Sequence, residues 1–172
     1  MGLGQTMLTA GFVVLLIMLT ISSNRMLMES QQTTYEAESV DIAADLANSL
    51  MMEATRKKFD ENQANYTGSA SAFTAAASLG PESGEAVSPL PDLAPFESAT
   101  KFDDIDDYKG YTRTVDGQTI KGFSVTANVY YLVSRTNLTQ TTTKTLLKRI
   151  DVTVSHPLYI PNGFIISRIL TF

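Results

Sequence analysis

The sequence predicts an α+β protein: a long N-terminal α-helix, hydrophobic in its first half and amphipathic in its second, packed on a C-terminal antiparallel sheet of about four strands. Three observations lead there. The chain opens with 24 residues that carry no formal side-chain charge, MGLGQTMLTAGFVVLLIMLTISSN. The following stretch, Arg25 to Phe59, contains neither Gly nor Pro and repeats its apolar residues at helical spacing. The last third alternates apolar and polar residues with the period of a half-buried strand.

Composition narrows the functional classes. At 172 residues and 44% hydrophobic content, the chain suits one domain with a modest core plus one appended element. A formal net charge of -5 argues against a nucleic-acid partner, which calls for a basic face to neutralise phosphates. The absence of Cys removes disulfides, thiol catalysis and Cys-ligated zinc.

Residues 1–24 would extend roughly 36 Å as a helix at about 1.5 Å per residue, enough to span a bilayer hydrocarbon core of about 30 Å. A secretory signal peptide would carry basic residues before the apolar run and a small-residue cleavage site after it, and neither is present. The first cation, Arg25, follows the span, as does the large polar remainder, which inverts the usual charge bias of membrane segments. A short basic leader, removed before the mature form, would resolve the conflict, with Met1 as the mature first residue. Phe12, Val13, Val14, Leu15, Leu16, Ile17, Met18 and Leu19 cover the helix all round, so other copies could bury it on every side. Gly2, Gly4, Ala10 and Gly11 would permit close helix approach.

The amphipathic continuation, 25–59, places Tyr35, Ile42, Leu46, Leu50 and Ala54 on one stripe, widened by Ala43, Ala47 and Met51. Together the two segments predict a rod of about 58 residues, roughly 87 Å long. Thr20, Ser22, Ser23 and Asn24 form its weakest patch and the expected place for a local break. Glu29, Glu36, Glu38, Asp41, Asp45 and Glu53 make an acidic middle, closed by Arg56, Lys57 and Lys58 in keeping with the helix dipole. This face reads as solvated, or as pairing laterally with cations of neighbouring copies.

Residues 60–107 form an Ala/Ser/Gly/Pro-rich connector and an acidic turn. Four of the six prolines lie between Pro81 and Pro95, and no second core is expected here. Asn65 and Asn137 sit in glycosylation sequons. Asp103, Asp104, Asp106 and Asp107 are weak candidates for calcium, since clustered carboxylates supply hard oxygen ligands but the EF-hand spacing is missing. The commoner use of such a cluster is an acidic surface turn before a strand.

Residues 108–172 read as the antiparallel β domain. Asp116-Gly117 suits a tight hairpin turn. Phe123, Val125, Ala127, Val129, Tyr131 and Val133 alternate with polar residues; Leu146, Ile150, Val152 and Val154 mark a second strand. Pro161-Asn162-Gly163 supplies another expected turn before the final strand, FIISRILTF. The lone histidine, His156, beside Pro157, has no nucleophile or metal spacing around it and reads as a surface or packing residue, so neither an enzyme nor a cofactor is expected.

The order of parts, with the N-terminal third and the pattern KRIDVTVSHP…FIISRILTF, resembles type IV pilins and the related pseudopilins of type II secretion systems. The resemblance implies leader removal by a prepilin peptidase and extraction of the helix from the cytoplasmic membrane by inner-membrane assembly machinery. It further implies a helical homopolymer at the cell surface, with Met1, Gln5, Phe12, Val13, Leu16 and Ile17 at the assembly surface. The chain departs from the family at three points: Gln5 stands where pilins usually carry a glutamate that pairs with a neighbour's terminal amine, no proline closes the membrane segment, and the C-terminal disulfide is absent. A short periplasmic pseudopilin and a non-polymerising single-span anchored binding domain are the alternative readings.

Overall fold

The structure, a computed structural model, describes residues 2–172 and forms two compact units, the first ending at Glu38 and the second running from Ser39 to Phe172. Helix α1 (Leu3–Ala54, 52 residues) is continuous. The break expected at Thr20–Asn24 does not occur. The Thr20 hydroxyl donates to the Leu16 carbonyl at 2.8 Å, so a side chain that competes for backbone bonds is satisfied within the helix.

The helix ends at Ala54, five residues before Phe59. Tertiary contacts draw the following backbone away. Lys58 N–H donates to the Asp103 carbonyl at 3.2 Å and Ile105 N–H to the Lys58 carbonyl at 3.0 Å, while Lys57 Nζ reaches the Ala99 and Phe102 carbonyls at 2.9 and 2.7 Å. The basic run thus binds the acidic segment and its flank instead of closing the helix.

In the second unit, β1 (Thr112–Val115), β2 (Phe123–Leu132), β4 (Leu147–His156) and β5 (Ile160–Thr171) form an antiparallel sheet in the order β1-β2-β4-β5. The two-residue β3 (Gln140–Thr141) pairs with the end of β2. Fold class and sheet agree with the sequence reading. Phe123, Val125, Ala127 and Val129 of β2 join Ile150, Val152 and Val154 of β4 in one core with Ala43, Ala47, Leu50, Met51 and Ala54 of α1. Alanines line the buried centre of the helix stripe, and small side chains allow helix and sheet to approach closely. Ile42 and Leu46 are only partly buried there, and Tyr35, in the first unit, is exposed.

Both connections expected to be tight turns differ. Between β1 and β2 lies a loop of residues 116–122, in which Gly117 N–H donates to the Ile120 carbonyl and Gly122 N–H to Asp116 Oδ1, each at 2.9 Å. Asp116 therefore closes the loop as an acceptor, and Gly122 takes the positive φ, +85°. Between β4 and β5 the chain turns at residues 157–159, and Pro161, Asn162 and Gly163 lie inside β5 beside a register shift at Val154/His156. Gly163 has φ +75°, and a Cβ there would stand 2.9 Å from Thr153 Cγ2. Gly163→Ala should therefore cost about 1–3 kcal/mol, read as a lower denaturant midpoint at unchanged slope.

The connector does carry a second small core. Phe73 and Leu79 are buried against Tyr131 of β2, flanked by Phe59, Tyr66, Ala70 and Ala76. The rings of Phe59, Tyr66 and Phe73 each meet Phe172, at centroid distances of 5.6, 4.7 and 5.1 Å. Aromatics scattered among Ala and Ser suffice because the sheet's end supplies the rest of the cluster.

Candidate assembly surface and buried charged centre

Every residue from Gly2 to Ala37 is exposed. That includes the predicted assembly residues Phe12 (62%), Val13, Leu16 (48%) and Ile17, which share one face of α1, and Gln5 near its start; Met1 lies outside the described residues. This part of α1 is long and apolar enough to cross a membrane. A Cβ at Gly2, Gly4 or Gly11 would meet nothing within 4 Å, so their small size does no packing work within the chain.

The acidic turn is buried, contrary to the surface turn expected: Asp104, Asp106 and Asp107 have essentially no exposed surface. The structure assigns the four aspartates different partners. Asp103 pairs with Lys58 at 2.6 Å. Asp104 Oδ1 accepts from the Asp106 and Asp107 amides, at 2.7 and 3.3 Å, and Asp107 Oδ2 accepts from the Asp103 and Asp104 amides, at 2.9 and 3.2 Å. Asp106 turns to Lys148. The segment is a folded acidic knot in which the carboxylates replace missing helix and sheet partners.

Lys148, on β4, is wholly buried, as are Asp60 and Asp106. Its ammonium lies 2.8 Å from Asp60 Oδ2, 2.7 Å from the Asp106 carboxylate and 2.7 Å from the Phe59 carbonyl, over the Phe59 ring at 4.5 Å. The Tyr131 hydroxyl shares its one proton between the Thr74 carbonyl at 2.9 Å and Asp60 Oδ2 at 3.3 Å. Asp60 also accepts from the Asn62 and Thr74 amides. Burial works to raise the Asp60 pKa, but the Lys148 ammonium and the two amides outweigh it and hold the carboxyl below its ordinary value. Burial pushes Asp106 up to about 8 against the pull of Lys148, with Asp104 and Asp60 adding repulsion. The two carboxyl groups around the Lys148 ammonium are thus driven in opposite directions, Asp60 toward its charged form by the ammonium and the amides, Asp106 toward its neutral form by burial.

A second tie joins α1 to β1. Arg113 Nη1 pairs with Glu53 Oε2 at 2.9 Å, and Glu53 Oε1 accepts from Ser98 Oγ and the Tyr108 hydroxyl at 2.8 and 3.1 Å. His156 is a packing residue. Its Nδ1 accepts from the Leu158 and Tyr159 amides, so Nε2 carries the proton and donates to the Lys121 carbonyl at 3.0 Å. Asn65 and Asn137 are both exposed.

Sequence reading did not single out Lys148 or Asp60. The signal was present: Lys148 shares its phase with Ile150, Val152, Val154 and His156 and so falls on the core-facing side of β4. Comparison of the chain with protein-family models, curated proteins and solved structures finds no match, so the site rests on its own geometry.

Proposed function

We propose that this chain is a structural subunit of an extracellular helical filament of the type IV pilus kind, assembled through the hydrophobic part of α1, and that it is not an enzyme. The observation that carries this reading is the exposure of every residue in the apolar run from Leu3 to Ile21. A surface of that kind has to be covered, and copies of the same helix can cover it on every side. Before assembly the membrane would hold the helix; a prepilin peptidase and inner-membrane assembly machinery would process and extract it. Leaving lipid for a bundle of helices gains little from hydrophobicity, so packing of small residues and polar contacts decides assembly. Gln5 can accept a hydrogen bond from a neighbour's terminal amine but supplies no ion pair.

The same exposed helix also suits a single-span anchor that never polymerises, or a short periplasmic pseudopilin. Electron microscopy of material sheared from cells, with sequencing of the N-terminal residue, separates these. Filaments built of this chain are expected, and removal of residues 1–24 should abolish them while the second unit still folds. A membrane-bound, fibre-free protein whose binding activity survives that deletion would overturn the reading.

A further inference from the structure

Two groups of acidic side chains in the second unit differ in how their charge is met. Glu61, Asp103 and Asp104 bring three carboxylate oxygens within 4.8 Å of one another, and Lys58 stands 2.6 Å from Asp103 and 3.8 Å from Glu61. Glu82, Glu85 and Asp107 gather their oxygens equally closely. Among the described residues, however, none of their carboxylates forms an ion pair with Lys, Arg or His.

Both groups hold buried oxygens with nothing to bond, Asp103 Oδ1 and Asp104 Oδ2 in the first, but only in the second is there no cation beside them. Asp107 is 1% exposed; two backbone amides occupy its Oδ2, and its Oδ1 is buried without a partner. Glu82 Oε2 is buried and unpartnered as well. Burying a carboxylate oxygen without a hydrogen bond or counter-charge is costly, and here buried Asp107 meets two half-buried glutamates with no cation among them.

The geometry points to Glu82, Glu85 and Asp107 as a binding site for a hard divalent cation of the calcium type, formed where the Pro-rich connector meets the acidic turn. Calcium takes oxygen ligands at about 2.3–2.6 Å in flexible arrangements of 6–8 ligands. Two oxygens on one ion can therefore lie at most about 5 Å apart, and the spacing found here falls inside that limit. Carboxylates, backbone carbonyls and water can complete such a shell, whereas magnesium demands a near-ideal octahedron. The ion would supply the positive charge that Lys58 gives the other group and would clamp the connector to the turn in a chain without disulfides. This site stands apart from the filament reading and survives its failure.

The test uses the full-length chain in detergent micelles, stripped with chelator and titrated with calcium chloride by calorimetry and thermal unfolding. One ion per chain is expected, half-saturating between about 10⁻⁴ and 10⁻³ M, the range of extracellular calcium modules. Tm should rise by about 3–6 °C at calcium tenfold above Kd. The Glu82→Gln/Glu85→Gln double variant should lose both the heat and the shift, with a calcium-free Tm no lower than that of the parent because amides remove the repulsion. Glu61→Gln should keep both. Absence of binding by the parent protein above that concentration range, binding that persists in the double variant, or binding lost in Glu61→Gln would each overturn the assignment.

Discussion

Lys148→Met should destabilise the second unit by about 3–5 kcal/mol, the usual cost of removing one partner from a buried ion pair. The methionine fills most of the volume, so the loss is electrostatic: Asp60 keeps its burial and its amide donors but loses the ammonium at 2.8 Å. Urea unfolding of full-length protein, followed by tyrosine fluorescence, measures it. The variant should also lose part of the parent's acid sensitivity. Because the folded Asp60 pKa is depressed, its contribution is fully present above the ordinary carboxylate value and disappears as pH falls through the folded value. Without Lys148 that depression shrinks, and the two stability curves should converge toward acid pH. Replacing the whole centre by apolar residues of matching volume, Asp60 and Asp106 included, should recover much of the loss. A Lys148→Met protein as stable as its parent would show that the centre contributes no stability.

If the chain polymerises through α1 as proposed, Leu16→Lys should abolish filaments while leaving the second unit folded. Leu16 lies mid-way along the apolar run, is 48% exposed and belongs to no core cluster of the second unit. A lysine at the centre of a membrane helix costs about 2.5–3.5 kcal/mol on insertion. If burial among neighbouring helices carries a similar penalty, each 1.4 kcal/mol is a tenfold change, and the critical concentration for assembly rises by about 100-fold. Thermal unfolding of the second unit should be unchanged, and sheared fractions should contain no fibres. Normal filaments from the variant would mean that α1 is not buried in the polymer.

The large elements were legible because each is written locally. The uncharged run and the Gly/Pro-free stretch specify α1, and strict alternation specifies β2 and most of β4. The misreadings arise where distant segments decide. Asp116-Gly117 looks like a tight turn in isolation, yet Asp116 is engaged by Gly122. Pro161-Asn162-Gly163 looks like a turn, yet His156 pairs with Ile160 and Val154 with Phe164, so the triplet bulges within β5 between two paired positions. The aspartate run reads as surface because nothing near it in sequence reveals that Lys148 and the turn amides await it. For the same reason Glu82 and Glu85 gave no sign of meeting Asp107, since that encounter depends on how the connector folds.

The buried ammonium of Lys148 meets carboxylates 88 and 42 residues earlier in the chain. During synthesis Asp60 and Asp106 leave the ribosome well before their counter-charge does. Until β4 emerges, the nascent polypeptide lacks both the central strand of its sheet and the cation that makes burial of those acids tolerable. The buried charged centre can therefore close only once the last quarter of the chain is present.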